Sequence, residues 1–319
     1  MTPIPSMTLS PEGILIALVA ACAGIMFLAV TTGTFLPVVN QRLAVLRQKM
    51  FYDKLAQQTA SMTASLSLLT LVCVAAAVAH VLVRSPELLQ EPFHAPMIAC
   101  AAALLTFVLL YLAYSIFWRA LRRTKNLHIA LGSVTALAGL TALYMTTALT
   151  FALLYRGHPI PASATMDQAL SAIYLASPPS ALWIVFTQTI FGGIACSAML
   201  AQLYLFLRRA KDDFGRDYYK FALPVCARWA AAGAVLQCLP ATALFLLLRS
   251  TSGPLLPANP VMWYWGTALL LPLCCAGLWL RIARSENPMR HKASVILCVF
   301  LMTCATTAQL LAGFFQTAQ

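Results

Sequence analysis

Eight stretches of this chain are apolar for about 20 residues or more, at 13–36, 58–83, 95–118, 127–155, 180–207, 221–248, 261–281 and 293–315. About 20 residues of helix rise about 30 Å, the thickness of a bilayer's hydrocarbon core. Backbone amides find no water there, so each span must close its own hydrogen bonds as a helix. If all eight cross, successive loops alternate between the two sides. Of the 21 Lys and Arg residues, 17 fall in every second loop. They are Arg42, Arg47, Lys49 and Lys54, then Arg119, Arg122, Arg123 and Lys125. Arg208, Arg209, Lys211, Arg216 and Lys220 follow, then Arg281, Arg284, Arg290 and Lys292. The opposite side holds only Arg84, Arg156 and Arg249. Such a bias places the basic loops in the cytoplasm. The expected fold is an all-α, multi-pass bacterial inner-membrane protein with eight transmembrane helices. They would pack as two four-helix bundles, with both termini periplasmic.

Composition agrees, with 61% apolar residues, 9% charged residues and a mean hydropathy of +0.81. A net charge of +12 could suggest nucleic acid, but the charge is spent on loops that face anionic lipid, so no nucleic-acid partner is expected. The ten cysteines all lie within apolar spans and form no CxxC pair. They read as packing residues, not as ligands of a metal or a covalent haem. The first span lacks a basic flank and follows Glu12, so it reads as a retained helix, not a signal peptide. Between spans four and five, Met166 to Leu175 is expected as a short interfacial helix. Trp118, Tyr155, Trp183, Trp263, Tyr264 and Trp265 are expected in aromatic belts. Pro224, Pro240 and Pro272 fall inside spans and should kink them. No internal repeat is visible, which disfavours an inverted-repeat transporter.

All nine acidic residues lie outside the spans, whereas ion-coupled pumps place carboxylates within the bilayer. Arg228 is the one basic residue inside a span. It sits about 12 Å along its helix, where an arginine costs on the order of 3 kcal/mol. It either faces the interior, to hold a quinone carbonyl, a lipid phosphate or a partner's haem propionate, or it snorkels to the surface. The histidines, His80, His94, His128, His158 and His291, lie near span ends. His80 paired with His158 or His94 is the candidate for a b-type haem near the outer surface. The alternative is water-exposed interfacial imidazoles. The polar run from Gln41 to Gln58 reads either as a solvated loop entering a helix or as a docking or quinone-headgroup surface.

The order of segments over residues 13–250 resembles the N-terminal half of subunit I of cytochrome bd-type quinol oxidases. The stretch FLAVTTGTFLPVVNQRLAVLRQKMFYDKLAQQTASM is similar to that family's first helix, basic turn and second-helix entry. Ala95-Pro96-Met97 resembles its third-helix entry. Trp118-Arg119 through His128, then Ala142-Leu143-Tyr144-Met145, resemble the passage to its fourth helix. Phe186-Thr187-Gln188-Thr189 with Gly192-Gly193 resembles the opening of its fifth. The family's haem-ligating histidines align here near Gly24 and with Gln188 (or Thr187). The two glutamates of its third helix align near Cys100 and Val108. Its long quinol-binding loop is replaced by the short segment from Arg249 to Pro260.

The resemblance therefore implies an oxidase bundle, residues 1–250, reused without its haems and followed by two added helices at 251–319. Its expected role is that of a noncatalytic scaffold, and a quinone-interacting subunit, in a respiratory electron-transfer complex. Cytochromes or other redox subunits would carry the haem. Gln188, Arg228, His80 and His158 are the cofactor-binding candidates. The alternatives are a small-molecule transporter and a b-type cytochrome.

Overall fold

The computed structural model describes residues 11–84, 93–155, 164–177, 180–212, 214–252 and 260–317. The described residues are overwhelmingly helical and include eight segments long and apolar enough to cross a membrane. The elements are α1 (Pro11–Thr31), α2 (Phe35–Arg47), α3 (Met50–Arg84), α4 (His94–Ile116), α5 (Lys125–Tyr155), α6 (Met166–Tyr174), α7 (Ala181–Arg208), α8 (Arg216–Ser252), α9 (Pro260–Arg284) and α10 (Lys292–Thr317). Short 3₁₀ turns, Ala120–Arg122 and Pro288–His291, bridge α4 to α5 and α9 to α10.

The first span is two helices because Pro37 has no N–H to return to Gly33 and its ring crowds that carbonyl. The chain breaks at Thr32–Thr34, and α2 then runs on to the basic loop. Thr31 and Thr32 donate to the carbonyls of Phe27 and Leu28 at 2.9 and 2.8 Å. A side chain at Gly33 would meet Ala29 O at 2.5 Å and Thr63 Cγ2 at 2.7 Å, so the bare glycine lets α3 close on the break.

Consecutive antiparallel neighbours dominate the packing. Helices α7 to α10 form one group, with α8 against α7 and α9, and α10 against α9. Helices α1 to α5 form the other, and α1 also lodges against α7 and α10. Within the hydrocarbon no hydrophobic force drives helices together, so close approach at small residues does that work. At Gly233 of α8, an added Cβ would lie 2.7 Å from both Ala195 N and Phe191 O of α7. Toward the basic side the core fills with Trp279, Tyr218, Tyr219, Met199 and Leu205, and α4 contributes Phe107, Tyr111 and Tyr114. Leu15, Val19, Val72, Leu137 and Leu270 face outward, as lipid-facing residues do.

The expected interfacial helix is present as α6. Thr165 Oγ1 accepts from Gln168 N at 3.4 Å, and Gln168 Oε1 accepts from Thr165 N at 3.0 Å, a reciprocal cap. Ala169 and Ile173 are buried beneath it. Tyr174 Oη donates to Pro96 O at 2.7 Å, and Tyr144 Oη donates to Tyr174 O at 2.7 Å, which fastens α6 across α4 and α5. Burial pushes the Tyr174 phenol above its ordinary pKa. Of the expected belt, Trp183 and Trp263 are exposed, but Trp265 is only 5% exposed. It packs inward with Leu244 and Phe245, because its position on α9 turns it toward α8 and not toward lipid.

Candidate functional site

In the half of the bundle away from the basic loops, the two groups of helices leave a cavity of about 330 Å³ between α1, α5, α7, α8, α9 and α10. Small and imino residues create it. Gly24 on α1 presents no side chain, and a Cβ built there would meet nothing within 4 Å. Pro272 on α9 lines the space, and Pro240 on α8 follows one turn after Gln237. Each lacks a backbone donor for its helix.

The polar groups that face this space are neutral. Gln188 on α7, Gln237 on α8 and Gln309 on α10 bring three carboxamides from three helices. The Gln237 side chain approaches α7 at Gly192, where a Cβ would stand 2.6 Å from its Oε1. Thr146, Thr147, Thr189 and Thr306 also line the space, their hydroxyls bonded to carbonyls of their own helices. Buried Trp265 lines it too, and its indole Nε1 has no partner among the described residues. A buried donor left so is costly unless something else accepts from it. No charged side chain is among the described lining residues.

The sequence candidates fare differently. Gln188 and Gly24 both line this one cavity. Cys100 is buried on α4, its Sγ 3.4 Å from Oγ1 of the cavity residue Thr146, and Val108 is buried further along α4. Arg228 is exposed on the outer surface of α8. It does not face the bundle interior and shares no pocket with Gln188, because its turn of α8 buries Cys226, Ala227 and Ala230 instead. The side chain of His80 and the whole of His158 lie outside the described residues. His94 is exposed at the first turn of α4. No histidine is among the described residues lining the cavity. Nor do three or more His, Cys, Asp or Glu side chains cluster among the described residues in a way that would hold a metal ion.

The polar run from Gln41 to Gln58 is solvated at its middle, where Arg47, Gln48 and Lys49 are exposed, but its two end glutamines are enclosed. Gln41 is 3% exposed and Gln58 7%. Gln41 meets His128 Nδ1 at 2.8 Å, and His128 Nε2 stands 2.9 Å from Tyr114 O. A carbonyl can only accept, so Nε2 carries the proton and Nδ1 accepts from the Gln41 amide. His128 stacks on Tyr114 at 4.4 Å and meets the edge of Trp118 at 4.7 Å. This is a structural imidazole tying α2, α4 and α5 together. The Gln58 amide accepts from the Tyr218 phenol of α8.

Gln237 and Gln309 escaped the sequence reading, although each is the only amide side chain of its span. A lone glutamine in an apolar helix was the available signal. Trp265 could not have been found, because its end-of-span position is also that of a belt residue.

No model of a known protein family matches the chain, and no curated protein matches it in sequence.

Proposed function

We propose that this chain is a haem-free membrane subunit of a respiratory electron-transfer complex, and that its cavity receives a quinone headgroup. The observation that carries the reading is the convergence of Gln188, Gln237 and Gln309 on one apolar cavity, with no charge among the described lining residues. A quinone ring is flat and uncharged, and its two carbonyls can only accept. It needs donors aimed into an otherwise oily slot. Each glutamine amide carries two N–H donors and Trp265 a third kind. A charged ligand would lose its hydration here with no opposite charge in return. The volume, about 330 Å³, stands near the lower end for ligand sites, about 300–1,000 Å³.

In this reading the chain supplies no redox centre of its own. Its residues orient the ring, exclude water and hold the carbonyls, while cytochrome or other redox partners exchange the electrons. The partner-facing surface would be one of the outward apolar faces, and the membrane that of a bacterial cytoplasm.

The test is purification in mild detergent, followed by solvent extraction and mass spectrometry of bound quinone. Near-stoichiometric quinone is expected, with a redox protein copurifying. The pair Gln188→Leu and Gln237→Leu should lower occupancy about ten-fold or more, from two hydrogen bonds of about 1 kcal/mol each. Protein that carries no quinone and copurifies with no redox partner would overturn the proposal. So would a Soret band from the isolated chain that is lost on His80→Ala, which would make it a b-type cytochrome.

A further inference from the structure

The other end of the molecule carries a second, unrelated recess. At the basic end of α9, an open groove of about 670 Å³ is lined by Gly277, Leu280, Arg281, Arg284, Ser285 and His291. We infer that it seats an anionic phospholipid, with the phosphate held by Arg281, Arg284 and His291 and an acyl chain lying along Gly277 and Leu280.

The groove is shallow and formed by one face of α9 and the turn that follows it. A Cβ at Gly277 would meet nothing within 4 Å, so the helix surface is open there, and exposed Leu280 and Leu273 continue it into the span. Arg281 and Arg284 are three residues apart and so share a face of the last turn of α9. The turn below them is rigidly tied. Asn287 N donates to Ser285 Oγ at 3.2 Å, Arg216 donates to Asn287 Oδ1 at 2.9 Å, and Pro288 is buried. His291 Nε2 stands 3.1 Å from Ser285 Oγ, which brings the imidazole to the rim.

Among the described residues the two arginines have no counter-charge within ion-pair distance. Arg208 pairs with Asp212 at 2.8 Å and Lys125 with Asp53 at 3.5 Å. Arg281 and Arg284 have no carboxylate partner among the described residues. A cationic rim directly above an apolar trough matches the two halves of a lipid, and a free anion would use only the rim. The basic side is also where anionic lipids concentrate, and each arginine near such a surface adds about five-fold in affinity.

The test is native mass spectrometry of the full chain after exchange into detergent holding equal phosphatidylglycerol and phosphatidylcholine. Preferential retention of phosphatidylglycerol is expected. The double change Arg281→Gln and Arg284→Gln should cut that retention by more than about ten-fold, with phosphatidylcholine unaffected. Gly277→Leu fills the trough and leaves the charge alone, and it should lower phosphatidylglycerol retention as well. Equal retention of the two lipids would overturn the inference, as would wild-type retention in the leucine variant or in a folded arginine variant. Displacement of the lipid by an equal concentration of glycerol phosphate would also overturn it, by reassigning the rim to a soluble phosphate.

Discussion

Two neighbouring glycine contacts on α7 and α8 separate function from stability at the level of single side chains. A methyl at Gly192 meets only the far end of the flexible Gln237 side chain, at 2.6 Å. Gly192→Ala should therefore displace that amide and weaken ligand occupancy while leaving the melting temperature in detergent nearly unchanged. A methyl at Gly233 meets backbone atoms of Ala195 and Phe191, which cannot move without parting the helices. Gly233→Ala should lower stability by about 1–3 kcal/mol, visible as a depressed thermal midpoint. The buried imidazole obeys the same logic of partners. Gln41→Leu strands His128 Nδ1 in a site where His128 is 1% exposed, and should cost about 1–3 kcal/mol. An unfolding titration of the purified variant measures it directly.

Among the helices, α6 is the least self-sufficient. It has nine residues, too few to persist alone in water, and holds its shape through its cap and two tyrosine bonds. Thr165→Ala should weaken it by about 1 kcal/mol. Hydrogen exchange of the amides between Met166 and Tyr174 should then speed up about five-fold, while α5 and α7 stay protected. Tyr174→Phe removes the bond to Pro96 O and should act in the same direction. If exchange in α6 does not change in either variant, the cap and the phenol are not what hold it. The broken α1–α2 span shows the converse case. There, a sequence-imposed break persists because α3 packs onto it at Gly33.

For the molecule as a whole, the charge asymmetry makes an orientational claim. A green fluorescent reporter fused after Gln319 should stay dark in a bacterial host, and alkaline phosphatase at the same point should be active. Both follow from the eight candidate spans among the described residues, an even number, if the basic loops are retained in the cytoplasm as their charge predicts. A bright cytoplasmic reporter would invert the topology and move the glutamine cavity to the inner half. The arrangement as it stands puts the neutral cavity and the cationic groove at opposite ends of the bundle. The two ligand readings can therefore fail independently.

The number and order of the spans were legible in the chain because lipid imposes a one-dimensional rule. An apolar run of sufficient length must be a helix, whatever surrounds it. The short helix after Thr165 was legible as well, from the proline-containing breakers on either side of it. Facing was not. Arg228 lies outward and Trp265 inward, and Gln41 and Gln58 are enclosed where their polarity suggested water. In a uniformly apolar helix no periodic contrast marks the buried side. The convergence of Gln188, Gln237 and Gln309 was equally hidden, since they sit on three helices far apart in sequence. Rotation of each helix about its axis is decided by where glycines and small residues permit contact, and that is a property of pairs of helices, which only the packed structure holds.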